Sequence, residues 1–107
     1  MLDIERIREL AKDYDNVLVT THTMKRFRER GICFDDVING INTGKIIEQY
    51  PDDYPEPSCL ILGSDVSGKS IHICAGTDNE TLFIITVYYP SEEYWESNYE
   101  IRKEKRS

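Results

Sequence analysis

His22, Arg26 and Arg30 recur at every fourth residue of the stretch THTMKRFRERG. On a helix with about 3.6 residues per turn, that spacing gathers one imidazole and two guanidiniums on a stripe about 80° wide. Two arginines so arranged can grip a phosphate through paired hydrogen bonds. A histidine in the first turn of the same helix is placed to act as a general base or to bind a ligand. Met24 and Phe27 point elsewhere and are expected to face the core, so the stripe runs beside the buried face. A solvated helix face with a histidine cap has the same pattern.

The second histidine, His72, lies in KSIHICAG. There Ile71, Ile73 and Ala75 alternate with His72 and Cys74, and the apolar set is expected to face the core. In TLFIITVYY, Thr86 and Tyr88 share one face. A three-residue loop over 78–80 pairs Thr77 with Thr81, sets His72 opposite Thr86 and leaves Tyr88 on the diagonal. A two-residue loop sets His72 opposite Ile85 and disperses the cluster. Either way His72 sits on a partly exposed face, where an ordinary strand histidine also fits, and His72→Ala is expected to leave folding intact.

The charge is unevenly spread. The chain has 107 residues and a net charge of −7, which argues against non-specific binding to nucleic acid. Residues 1–50 are nearly balanced, with eight Lys+Arg against nine Asp+Glu, and residues 51–107 hold five against eleven. Any anion site therefore belongs on the N-terminal half, at the helix that carries the stripe. No apolar run approaches the ~18 residues of a membrane span, and the charged start MLDIERIREL is no secretory signal. Cys33, Cys59 and Cys74 are scattered without a CxxC pair. They read as reduced core residues of a cytoplasmic protein, one reactive thiol being the alternative. No metal or cofactor site is expected from these cysteines and two histidines.

The elements that must position these residues follow from the period of the apolar positions. Residues 2–14 carry Leu2, Ile4, Ile7, Leu10 and Ala11 at helical spacing. VLVT (17–20) is a short extended segment. Thr20 or Thr21 caps a second helix that Gly31 stops. A third helix runs near 35–43, with Asp35 as its cap and Gly44 as its end. From Lys45 the period becomes two: KIIEQY, SCLILGSDV, KSIHICAG and TLFIITVYY read as strands. Turn signals lie at Ser67-Gly68 and TDNE. Residues 91–107 form a charged tail whose composition admits a helix. In that tail Tyr94, Trp95 and Tyr99 either stack on bases or pin it to the body. Helices followed by hairpins imply one α+β domain over 1–107, with helices packed on a four-stranded antiparallel sheet.

Several of these stretches together resemble a known family. THTMKRFRERGI, DVINGINTGKIIEQY, YPEPSCLILG, IHICAG and IITVYYP resemble the small bacterial proteins grouped as domain of unknown function 4258. The resemblance covers a core of about 20–90 and rests on His22, Arg26, Arg30, Gly44, Glu48, Pro57, Cys59, His72, Thr86, Tyr88 and Pro90. Thr23 departs from it, standing where the family usually has alanine. That family is similar to the RelE-like and MqsR-like toxins. The resemblance thus implies a RelE-like or barnase-like ribonuclease architecture and a metal-independent endoribonuclease toxin. It also implies RNA as substrate and a zinc-finger antitoxin as partner.

The residues can be matched to that chemistry. RNA cleavage without metal needs a base for the 2′-hydroxyl, an acid for the leaving 5′-oxygen and cations for the transition state. His22 and His72 fit the acid and base in either order, across a common groove. Arg26 and Arg30 fit the phosphate, and Tyr88 and Thr86 would orient it. Two other readings remain open. One is a non-catalytic module that binds a phosphorylated ligand or a protein partner. The other is a degenerate toxin fold without activity.

Overall fold

The computed structural model describes residues 1–103. Helix α1 (Ile4–Ala11) is capped by Asp3, whose carboxylate accepts the Glu5 N–H. It ends earlier than residue 14, and the chain passes through a 3-10 turn at Tyr14–Asn16 into strand β1 (Val17–Val19). Helix α2 (Thr21–Glu29) starts where Thr20 Oγ1 accepts the Thr23 N–H, and closes in a Schellman turn on Gly31 at φ 68°. Helix α3 (Phe34–Thr43) is capped by Cys33 rather than Asp35. The Cys33 N–H and Sγ–H both donate to Asp36 Oδ2, at 3.0 and 3.2 Å. Cys33 is accordingly exposed, not a core residue, and only Cys59 is fully buried among the three free thiols.

Strands β2 (Lys45–Tyr50), β3 (Ser58–Ser64), β4 (Ser70–Thr77) and β5 (Leu82–Tyr88) form an antiparallel series. The sheet nevertheless has five strands, in the order β1-β5-β4-β3-β2, because β1 adds to β5 in parallel. The expectation of four antiparallel strands therefore becomes a mixed five-stranded sheet. Three residues of β1 carry too little pattern to be read as a strand; pairing with Leu82, Phe83 and Ile84 is what makes them one.

Ile71, Ile73 and Ala75 face the helices and are fully buried, as their alternation implies. Val37 and Ile41 of α3 and Ile7 and Leu10 of α1 close this core. At its tightest point α3 lies backbone against sheet: a Cβ on Gly63 would sit 1.9 Å from the Gly40 carbonyl oxygen. Among the described residues no helix is long and apolar enough to cross a membrane.

The opposite face of the sheet, here the far face, carries Glu48, Tyr50, Leu60, His72, Cys74, Thr86 and Tyr88 by register. Residues 91–103 cross it as a strap of turns with one bridge between Trp95 and Arg102, not as a helix.

Candidate functional site

The β4–β5 loop spans four residues, since Thr77 pairs with Leu82 rather than Thr81. A bulge between Cys74 and Ala75 then shifts the ladder again. The two changes set His72 opposite Tyr88 and Cys74 opposite Thr86. The expected register, with His72 facing Thr86, is thus corrected, and Tyr88 moves from the diagonal to the direct partner. Bulges are set by fit to neighbours and leave no local mark in the strand.

His72 is 0% exposed, so the far face is not open at this point. Its Nε2 lies 2.8 Å from the Tyr99 carbonyl oxygen, and its Nδ1 lies 3.1 Å from Tyr88 Oη. A carbonyl only accepts, so Nε2 carries the proton and donates it. Nδ1 then presents its lone pair, and the Tyr88 hydroxyl donates to it. Trp95 packs edge-on against the imidazole, with ring centroids 4.4 Å apart. Burial pushes the His72 pKa below its ordinary value, which outweighs the hydrogen bond to Tyr99 and the nearby Glu48 carboxylate. Burial also raises the Tyr88 pKa, so the phenol stays protonated and able to donate.

The strap is fixed to β2. Arg102 Nε donates to Glu48 Oε2 at 3.0 Å, and its guanidinium lies 4.7 Å from the centre of the Trp95 ring. Lys45 and Glu100 form a second ion pair. Burial alone would raise the Glu48 pKa, but the hydrogen bonds from Arg102 and Tyr50 outweigh it and hold the carboxyl below its usual range.

Helix α2 lies along β5 beyond the end of β1. Thr23 Oγ1 donates to the Ile85 carbonyl at 3.1 Å, and Arg30 Nη1 donates to the Val87 carbonyl at 2.7 Å. Two side chains of the helix thereby continue the sheet edge where β1 stops, satisfying carbonyls that would otherwise lack strand partners. Arg30 also reaches Thr86 Oγ1 at 3.3 Å. The expectation that Met24 faces the core does not hold. Thr23 and Phe27 are the buried residues, while Met24 is half exposed beside a groove lined by Val17, Val19, Arg28, Ile32 and Phe34. With Met24 and Arg28 on that flank, helical spacing turns His22 and Arg26 to the other flank, which borders the far face beside Thr86.

The residues singled out in the sequence thus fall into two groups. His72, Tyr88, Thr86 and Arg30 lie together, the first two and the last two in hydrogen-bond contact. His22 and Arg26 are exposed on the helix, and Arg26 pairs with Glu29 at 3.5 Å. Arg30 is committed to the β5 backbone rather than free on a stripe. Of the tail aromatics expected either to stack on bases or to pin the tail, Trp95 and Tyr99 pack on His72 and Tyr94 is exposed, while Arg102 was not singled out at all. Tyr99 adopts φ 61°, a conformation unusual for a bulky residue that aims its carbonyl at His72. The cluster of aromatic residues in a charged tail was the one available signal.

The depressed pKa of His72 predicts an acid-sensitive fold. The folded state keeps His72 neutral at pH values where the unfolded chain, near 6.5, has already taken up a proton. Stability is therefore complete above about pH 6.5 and declines as pH falls below it. Glu48 adds a further loss at lower pH, where its ion pair with Arg102 is protonated away. Urea midpoints measured from pH 7.5 to 5 should fall with pH, and the slope between 6.5 and 5.5 should vanish in His72→Gln. An unchanged slope in that variant would assign the acid sensitivity elsewhere.

A family model described as "Domain of unknown function (DUF4258)" matches residues 19–89. No curated protein and no solved structure matches the chain. The matched span holds His22, Arg26, Arg30, His72, Thr86 and Tyr88, and stops just before the strap. With about two thirds of its length matched, the chain belongs to the DUF4258 family.

Proposed function

We propose that this protein is a metal-independent endoribonuclease of the toxin type, working where β4, β5 and α2 meet. The observation that supports it is the His72–Tyr88 pair with Thr86 and Arg30 beside it. The buried imidazole does not need to touch RNA. Tyr88 relays for it: the 2′-hydroxyl proton passes to Tyr88 Oη as the Tyr88 proton passes to His72 Nδ1. The freed 2′-oxygen attacks phosphorus and closes a 2′,3′-cyclic phosphate. The bond from phosphorus to the 5′-oxygen breaks, and that oxygen takes a proton from the His22 imidazolium. Arg26, with Arg30 behind Thr86, offsets the charge that builds on the phosphoryl oxygens. The resemblance to toxin families adds an antitoxin, of zinc-finger type, as the partner that would hold the activity in check in a bacterial cytoplasm.

Purified protein incubated with RNA in EDTA tests this reading. Wild type should leave 2′,3′-cyclic phosphate ends and spare DNA, which lacks the nucleophile. His22→Ala and Tyr88→Phe should each lower the rate by ~10²–10⁴. Induced expression should arrest growth only when both residues are intact. Cleavage that is absent in wild type, or that stays at the wild-type rate in both variants, removes the enzyme reading.

One observation favours a second reading. Both His72 nitrogens are already satisfied, and Arg30 is bound to backbone. A structural histidine and a sheet-edge arginine look the same. His22 and Arg26 would then serve as a binding surface without chemistry, and RNA would bind without being cut.

A further inference from the structure

We propose that the strap, residues 91–103, is a positioning element of the site, with the Tyr99 carbonyl selecting the Nε2–H tautomer of His72. The relay described above works in one tautomer only. If the proton sat on Nδ1, that atom would donate to Tyr88 Oη, and the phenol would have no base to pass its proton to. On the far face the only described acceptor on Nε2 is the Tyr99 carbonyl, at 2.8 Å. A buried N–H with no acceptor is costly, so the proton follows the carbonyl.

The carbonyl in turn depends on contacts remote from Tyr88. Tyr99 holds φ 61°, and the Tyr99 N–H donates to the Glu96 carbonyl at 2.8 Å. The Glu96 N–H donates to the Ile101 carbonyl, also at 2.8 Å, which closes the turn. Trp95, only 3% exposed, seats this turn against the imidazole. Arg102 locks it to Glu48 on β2. The arrangement parallels a hydrolase triad in logic: one group accepts from the far nitrogen so that the near nitrogen can act as base. Here a backbone carbonyl takes the place of the carboxylate. The family match ends at Tyr89, so the group that orients His72 is supplied by chain outside the matched domain.

Arg102 touches neither His72 nor Tyr88 by hydrogen bond, although its charge acts on both, so Arg102→Ala loosens the strap and removes that charge together. Arg102→Lys keeps the charge opposite Glu48 and serves as the conservative control. Nitrogen-15 spectra of full-length protein at pH 7.5 report the tautomer directly, with His72 told apart from His22 by a His22→Gln background. Trp95, the one tryptophan in the chain, reports the strap by its emission.

Wild type should show Nε2 protonated and Nδ1 bare. Arg102→Ala should shift to averaged nitrogen signals and red-shifted emission while still melting cooperatively. RNA cleavage should fall at least tenfold in kcat with KM little changed, and Arg102→Lys should recover most of it. This activity arm rests on the ribonuclease reading, whereas the tautomer arm does not. An Nδ1–H signal in wild type, or the same tautomer in Arg102→Ala with a displaced strap, overturns the inference. So does cleavage that stays unchanged when the tautomer shifts. A shift in tautomer with no cleavage by wild type supports the positioning role and removes the ribonuclease instead. If Arg102→Ala does not fold, Trp95→Phe, which keeps an aromatic ring but gives up the emission signal, supplies the tautomer and cleavage readings.

Discussion

Gly63→Ala should destabilise the fold by about 3 kcal/mol or more, near the upper end of what overpacking costs. The reason is the kind of atom the new methyl meets. Its carbon would lie 1.9 Å from the Gly40 carbonyl oxygen, 2.6 Å from the Gly40 carbonyl carbon and 2.8 Å from the Gly40 Cα. All three are backbone atoms of α3, so no rotamer change relieves the overlap. The helix must lift off β3, and Val37 and Ile41, both fully buried, lift with it. Gly40→Ala offers the internal comparison. Its methyl would meet side-chain carbons, Ile73 Cδ1 at 2.6 Å and Ile71 Cγ2 at 3.0 Å, which can partly turn away. Urea denaturation should therefore rank Gly63→Ala below Gly40→Ala, with Gly63→Ala close to unfolded if total stability is near the ~5 kcal/mol lower end for small domains. A Gly63→Ala midpoint equal to that of wild type would mean that α3 does not sit on β3 as described.

The second large effect is at His72, and it reverses the expectation drawn from sequence. His72→Ala should cost about 3 kcal/mol. The ring is fully buried, so its loss leaves a cavity beneath Trp95. The Tyr99 carbonyl and the Tyr88 hydroxyl lose their partner at the same time. For a domain of this size that corresponds to a fall in melting temperature of ~10 °C or more. His22→Ala, at an exposed position, should stay within about 0.5 kcal/mol of wild type. Thermal melts of the two variants side by side test the contrast. Equal and small shifts would show that the strap closes over the site without needing the imidazole. The contrast also bears on assays. Activity lost in His72→Ala mixes folding with chemistry, whereas Tyr88→Phe and His22→Ala separate them.

The elements were legible because they are written in short-range periods. Ile71, Ile73 and Ala75 alternate, and all three are buried on the face toward the helices as that alternation requires, whereas the burial of His72 between them comes from the strap on the other face. KIIEQY is β2 to the residue, and Thr20 and Gly31 bound α2 as their cap chemistry requires. Hydrophobic period, capping and turn preference act over a few residues, and a sequence displays them directly. The change of period at Lys45 was enough to place helices before hairpins, and so the α+β class.

What the sequence could not carry were the relations between elements. The bulge at Cys74/Ala75 depends on how β4 and β5 fit their neighbours, and it decides that His72 faces Tyr88 rather than Thr86. The parallel pairing of β1 depends on a strand 65 residues away. Arg30 looked like a free phosphate ligand on its stripe, but the shortness of β1 leaves the Val87 carbonyl bare, and the guanidinium is drawn there. The strap is the clearest case. No local rule says that a charged tail will fold back over a strand histidine. Only the tertiary structure brings Tyr99 to Nε2 and Arg102 to Glu48, because only there are a buried N–H and a half-buried carboxylate left seeking partners.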